Sequence, residues 1–173
     1  VRILQEPSGP QFVPPDQLLY RITDMAEVAE PPQVLAAGDD WELRARDYSR
    51  ALEVYRHMLA VNVSPQIRPW LLQRLARVAR KAGRSEEALR VYQELGRASG
   101  AMLGLLPAEL IAGYEICSLM EEKGSPEALA PAALDFYRAL ANGRWQLEKA
   151  RYLFYSTNAR RWLERSAPQT VYH

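Results

Sequence analysis

Two stretches of the chain repeat one another. RDYSRALEVYRHML (residues 46–59) and GRSEEALRVYQELG (residues 83–96) each place an alanine, Ala51 or Ala88, four residues before a tyrosine, Tyr55 or Tyr92. A leucine, Leu59 or Leu95, follows about a turn later. A small residue at helical spacing from an aromatic one predicts two helices that cross so closely that only a methyl group fits between them. Apolar residues at the same spacing lie upstream: Val34, Leu35, Trp41 and Leu43 before the first copy, and Trp70, Leu71, Leu75, Val78 and Ala79 before the second. Each copy therefore reads as the second helix of an antiparallel hairpin.

The punctuation supports more such helices. Gly83, Gly96 and Gly124 read as C-terminal stops, Ser85 and Ser125 as N-caps, and Pro107 and Pro126 as residues near helix starts. Pro131 falls one turn into its helix and is expected to kink it. The last helix, RWQLEKARYLFYSTNARRWLER, carries Trp145, Tyr152, Tyr155 and Trp162, which read as structural packing residues that cap the array. At the other end, prolines 7, 10, 14 and 15 exclude a helix. The apolar pieces 1–4, 11–13 and 18–22 read there as extended segments, with a small hairpin among them, lying against the helices as the other cap.

Tyr55 and Tyr92 are 37 residues apart, and the hairpins resemble the tetratricopeptide repeat, whose period is about 34. Arg46-Asp47-Tyr48-Ser49-Arg50-Ala51 matches that repeat's G-D-Y-x-x-A turn apart from Arg46, and the run Gly83 to Ala88 keeps the glycine. A third copy is degenerate: Gly124 as turn glycine puts Leu129 at the crossing, whereas a longer loop would put Ala133 there with Tyr137. The expected fold is all-α, a tetratricopeptide-like antiparallel helix-hairpin array of about seven helices. It divides into an extended Pro-rich segment at 1–31, helical repeats at 32–165 and a tail at 166–173.

Composition excludes several chemistries. The 173 residues, 48% hydrophobic, suit one compact domain, and 22 basic against 21 acidic side chains give no global case for nucleic acid. Charge comes in blocks: net −4 over 1–65, +5 over 66–100, −5 over 101–137 and +5 over 138–173. Such blocks would attract if stacked in chain order, but the reading here is solvated helix faces of differing sign. Cys117 is the single cysteine, so no internal disulfide forms. Two histidines, His57 at the surface and His173 at the end, are too few for a histidine metal site or a catalytic base. Asp39–Asp40, Glu86–Glu87 and Glu121–Glu122 read as caps or solvated charge rather than acid/base pairs. No phosphate-binding glycine loop or nucleophile elbow is present. A non-enzymatic chain without a cofactor is expected, and no run of about 20 apolar residues would cross a membrane.

The candidate site is the inner face of the first helices: Trp70, Gln73, Arg77 and Arg80 from one hairpin, with Ile111, Tyr114, Ser118 and Glu121 from the next. An aromatic ring, an amide and two guanidinium groups there would hold a carboxylate or a peptide terminus. Reversal of Arg77 and Arg80 to Glu is expected to abolish binding of an acidic partner. The competing reading is that Arg74, Arg77, Arg80, Lys81 and Arg84 form a solvated basic face, or pair with the acidic third block.

Longer stretches carry a more specific likeness. QLLYRI, RDYSRALEVYR, RLARVARKAGRSEEALRVYQEL, LPAELIAGYEICSLMEEKG and, above all, NGRWQLEKARYLFYSTNARRWLE resemble the extracytoplasmic sensor domain of bacterial membrane histidine kinases. That resemblance implies a periplasmic loop between two membrane helices of a parent chain, a peptide, protein or small-molecule ligand, no kinase activity in these residues, and a homodimer. The alternative is a cytosolic scaffold of the same fold that mediates protein–protein interaction.

Overall fold

In a computed structural model, which describes residues 2–6, 9–13, 30–61 and 63–166, the same backbone device opens three helices. Arg46, Gly83 and Gly124 all lie in the left-handed region, with φ of 54°, 73° and 63°. Each immediately precedes an N-cap residue: Asp47 for α2 (Tyr48–Ala60), Arg84 for α4 (Ser85–Leu95) and Ser125 for α6 (Pro126–Ala141). Four residues past the cap, the amides of Ala51, Ala88 and Leu129 donate back to the cap carbonyl at 3.0, 3.0 and 2.9 Å. Leu129 thus stands in the same relation to its cap residue as Ala51 and Ala88 do to theirs, and Ala133 is buried one turn later.

Gly83 and Gly124 also end the helices before them, α3 (Arg68–Lys81) and α5 (Ala108–Glu122). The amide after each glycine reaches back to a carbonyl in the last turn, Arg84 to Ala79 at 2.8 Å and Ser125 to Met120 at 3.2 Å. Glycine adopts this conformation freely, whereas a side chain there costs about 1–2 kcal/mol. Arg46 bears that cost. Arg46→Gly is therefore expected to stabilise the chain by roughly 0.5–1 kcal/mol, read as a higher urea midpoint with an unchanged slope. A lower midpoint would show that the arginine side chain contributes more than its backbone costs.

The chain is all-α, completed by α1 (Ala36–Asp39), α7 (Lys149–Ser166) and two small antiparallel hairpins. One hairpin pairs β1 (Arg2–Glu6) with β2 (Gly9–Val13), the small hairpin expected among the extended apolar pieces. The other pairs β3 (Met102–Leu103) with β4 (Leu106–Pro107), directly before α5. The piece at 18–22, the N-terminal cap role and the tail lie outside the described residues. One detail differs from the sequence reading: Arg84 rather than Ser85 takes the cap position of α4. Gly96 directly follows the last residue of α4, as expected, with a φ of −63°, and Pro131 lies inside α6.

Two compact units form, residues 26–119 and residues 1–25 with 120–173. In the first, Ala51 and Ala88 are fully buried, as their helical spacing predicts, together with Leu52, Tyr55, Leu72, Leu75, Tyr92 and Leu95. In the second, α6 packs along α7 around Phe136, Leu140, Tyr155 and Trp162. The ring of Phe136 lies 5.8 Å from Trp145, 6.2 Å from Tyr155 and 6.4 Å from Trp162. These aromatic side chains thus pack within their unit.

The segment ahead of α2 overturns the expected apolar stripe. Residues Gln33–Leu35 form a 3-10 turn, α1 follows, and Asp40–Arg44 form one turn of π-helix. The Ala45 amide bonds to the Asp40 carbonyl, five residues back, so the turn holds one residue more than an α-helix would. Only Leu35 of the stripe is buried. Val34 and Leu43 face solvent, and Glu42 is buried in their place. Gly38 lies flat on the Tyr55 ring, where a Cβ would come within 2.3 Å of a ring carbon.

Candidate functional site

The inner face expected from the sequence is largely occupied by the chain's own carboxylates. Arg77 donates from Nε and Nη2 to the two oxygens of Glu42 at 2.7 and 2.6 Å, and Lys81 adds a bond of 2.7 Å to Oε1. Glu42 has no side-chain exposure. Burial alone would raise its pKa, but the bonds and charges of Arg77 and Lys81 outweigh that and hold it below its ordinary value. The Arg77 guanidinium is held above its ordinary value, because the Glu42 contacts outweigh burial. Arg80 donates to Glu115 and to the Ser118 hydroxyl, the latter at 2.8 Å.

One turn earlier, Asp39 accepts from the Tyr55 hydroxyl at 2.7 Å and from Arg74 Nε at 2.8 Å. Burial, then the Asp39 carboxylate, raises the pKa of the Tyr55 phenol. Arg74 also donates to the Gln73 side-chain Oε1 at 2.6 Å, and its guanidinium stands 5.7 Å from the centre of the Trp70 ring. Ile111 and Tyr114 are half-buried. Glu121 belongs to the other unit, where it accepts from Trp162 Nε1 at 2.8 Å and from Arg161 and Arg165.

The packing bears on three of the sequence readings. Arg77, Arg80 and Ser118 are internal partners rather than a ready carboxylate receptor, so reversing both arginines would break the Glu42 and Glu115 pairs before it reported on a ligand. The charge blocks are joined, not merely solvated, because basic residues 74–81 hold acids of the first and third blocks. In each acidic doublet one member stays exposed, while Asp39, Glu87 and Glu121 take guanidinium partners. A signal for these pairs was present: Asp39–Arg74, Glu42–Arg77 and Arg80–Glu115 are each separated by 35 residues, close to the repeat spacing.

Trp70 has a different setting. It stands in the first turn of α3 and lines a groove of about 440 Å³ with Pro65, Gln66 and Pro69 on its own side. Residues 99–102, from the end of α4 into β3, form the other wall. The Ser64 carbonyl accepts from the Ile67 and Arg68 amides at 3.0 and 3.1 Å, which folds Pro65 and Gln66 over the helix start. Opposite, Gly100 has a φ of 74° and the Ala108 amide bonds to the Ala101 carbonyl at 2.8 Å, bringing the chain around to present Met102. The sequence reading, which placed Trp70 on the inner face, did not include this groove, because its second wall comes from a loop some thirty residues away.

No cluster able to hold a metal ion occurs among the described residues. Cys117 is buried, which pushes its thiol up to about 12 and leaves it protonated and unreactive. No buried side-chain polar atom among the described residues lacks a hydrogen bond, and no described helix is long and apolar enough to cross a membrane. Comparison of the chain with protein-family models, with curated proteins and with solved structures finds no match.

Proposed function

We propose that the chain is a non-catalytic binding module, the periplasmic sensor domain of a bacterial membrane histidine kinase, and that its ligand, a peptide, protein or small molecule, seats on Trp70. The observation that carries the binding role is the groove itself. A half-buried indole faces a concavity walled by prolines and Met102, while the arginines deeper along α3 are committed to internal pairs. Concave, mostly apolar surfaces with a few polar groups are where proteins seat ligands. The kinase assignment is supported by the likeness of the stretches quoted above, and a tetratricopeptide-like arrangement by the three left-handed turns and the 35-residue spacing of the ion pairs. In this reading the last helix carries the output, and a ligand drives it by favouring one of its positions in free energy.

A thermal-shift screen of small peptides and metabolites tests the binding role. A ligand at 100 times its Kd adds about 2.7 kcal/mol, so hits are expected to raise the Tm of the wild-type chain and to leave Trp70→Ala unshifted. Hits that stabilise both proteins equally, or turnover of any compound in the panel, would overturn it. The second reading, a cytosolic scaffold, is separated by the parent gene. Apolar spans on both sides of these residues support the sensor, and their absence supports the scaffold.

A further inference from the structure

A second cavity, of about 280 Å³, lies where the 3-10 turn, the end of α2 and the start of α3 meet, and shares no residue with the Trp70 groove. Leu35 and Leu71 are its buried members, each 1% exposed, while Val34 and Val61, 53% and 57% exposed, stand at its rim. Met58, in the last turn of α2, is half-buried between them in exposure. Among the described residues, none that lines the cavity is charged or aromatic. Ser64 brings the one hydroxyl, and its carbonyl is already taken by the Ile67 and Arg68 amides.

Those walls specify the chemistry of a ligand. A water molecule needs several polar partners, and this lining supplies too few, so an apolar group entering it displaces nothing well held. A charge seated against Leu35 and Leu71 would lose its hydration and meet no counter-charge. With no ring to stack on and no buried donor to meet, a ligand gains only by the apolar area it hides. Met58, unbranched and flexible, can fit itself around a chain. Size then sets the length: an apolar cavity of about 150 Å³ holds one benzene, so about 280 Å³ holds roughly ten carbon atoms. We infer that this cavity binds one uncharged alkyl chain of about ten carbons, its methyl end against Leu35 and Leu71 and its hydroxyl or ester head beside Ser64.

The whole chain, isotope-labelled at its four methionine methyl groups, is titrated by NMR with straight-chain hexanol, octanol, decanol and dodecanol. The Met58 signal is expected to shift saturably, while that of Met102, in the Trp70 groove, stays in place. Affinity is expected to rise about fourfold for each added CH2 up to decanol and to level off at dodecanol, whose end would lie outside. Val61→Glu, at an exposed position, is expected to weaken decanol binding about tenfold, and Trp70→Ala to leave it unchanged. Affinity that keeps climbing through dodecanol, or a common shift of all four methionines, would show adsorption to the surface and overturn the inference. So would a Met58 signal that no alcohol moves. A Met58 signal that shifts with protein concentration alone, and stops doing so in Val61→Glu, would overturn it in favour of a second copy of the chain. None of these results touches the Trp70 reading, which the thermal-shift screen decides.

Discussion

Trp162→Ala is expected to cost about 3–5 kcal/mol in the unfolding free energy, the range for truncating a large buried aromatic side chain. The indole is fully buried, packs at 6.4 Å from Phe136, and donates its N–H to Glu121 at 2.8 Å. Truncation leaves a cavity between α6 and α7 and removes one of the three donors on that carboxylate. Burial raises the Glu121 pKa, but the Trp162 bond and the charges of Arg161 and Arg165 outweigh it and hold the carboxyl below its ordinary value. Trp162→Phe keeps most of the ring and loses the N–H, so it is expected to cost clearly less, roughly 1–2 kcal/mol. Guanidinium melts of both variants decide the matter. A loss below about 1 kcal/mol for the alanine variant would mean that the site collapses around the gap.

The second large effect concerns Glu42, and its signature is a pH dependence of opposite sign in wild type and variant. In the wild-type chain the folded pKa is depressed, so the carboxylate contributes stability above its ordinary value of 4.5. That contribution is lost as pH falls below 4.5 through the folded pKa. Replacing both Arg77 and Lys81 by Met leaves the carboxyl buried with no cation, and burial alone raises its pKa. A raised folded pKa contributes stability below 4.5 and loses it as pH rises. The stability gap between wild type and the double variant should therefore widen from pH 4 to pH 7.

At pH 7 the gap is expected to be about 3 kcal/mol, at the low end for breaking a buried pair, because Arg77 and Lys81 keep 30% and 38% side-chain exposure in the wild type. Urea melts at the two pH values measure it. A gap that stays constant, or narrows toward pH 7, would show that Glu42 is not ionised where it lies. Comparing the two proteins at each pH removes the acid response of Glu121 and the other paired carboxylates, which both share.

The local rhythm of the chain was readable, and the charge pairing only as an alternative, the pairing of α3 cations with the acidic third block that Arg80 and Glu115 make. Ala51, Ala88, Tyr55 and Tyr92 are buried where their helical spacing puts them, because a crossing that admits only a methyl group imposes the same residue at each copy. The turn before α2 was readable in outline as well. Its mismatch with a glycine motif, Arg46, turned out to adopt the glycine's conformation rather than to break the repeat.

Where the reading failed, the cause was a change of phase or a distant partner. An α-helical count put Leu43 inside, but a π turn carries an extra residue, and the backbone after Asp40 presents Glu42 to Arg77 instead. The arginines of α3 looked like a receptor because their sequence neighbours are not acids. Their partners come from neighbouring hairpins 35 residues away, and nothing local reports that distance.

Helix identity, turn chemistry and the close crossings follow from residues within one or two turns of each other, where backbone geometry and side-chain size act directly. Which face of α3 meets carboxylates, which end of it lines an open groove, and which loop completes that groove follow from how the hairpins pack. Burial there makes an unpaired charge too costly to leave, and Trp70 remains the aromatic residue on that helix with a groove in front of it.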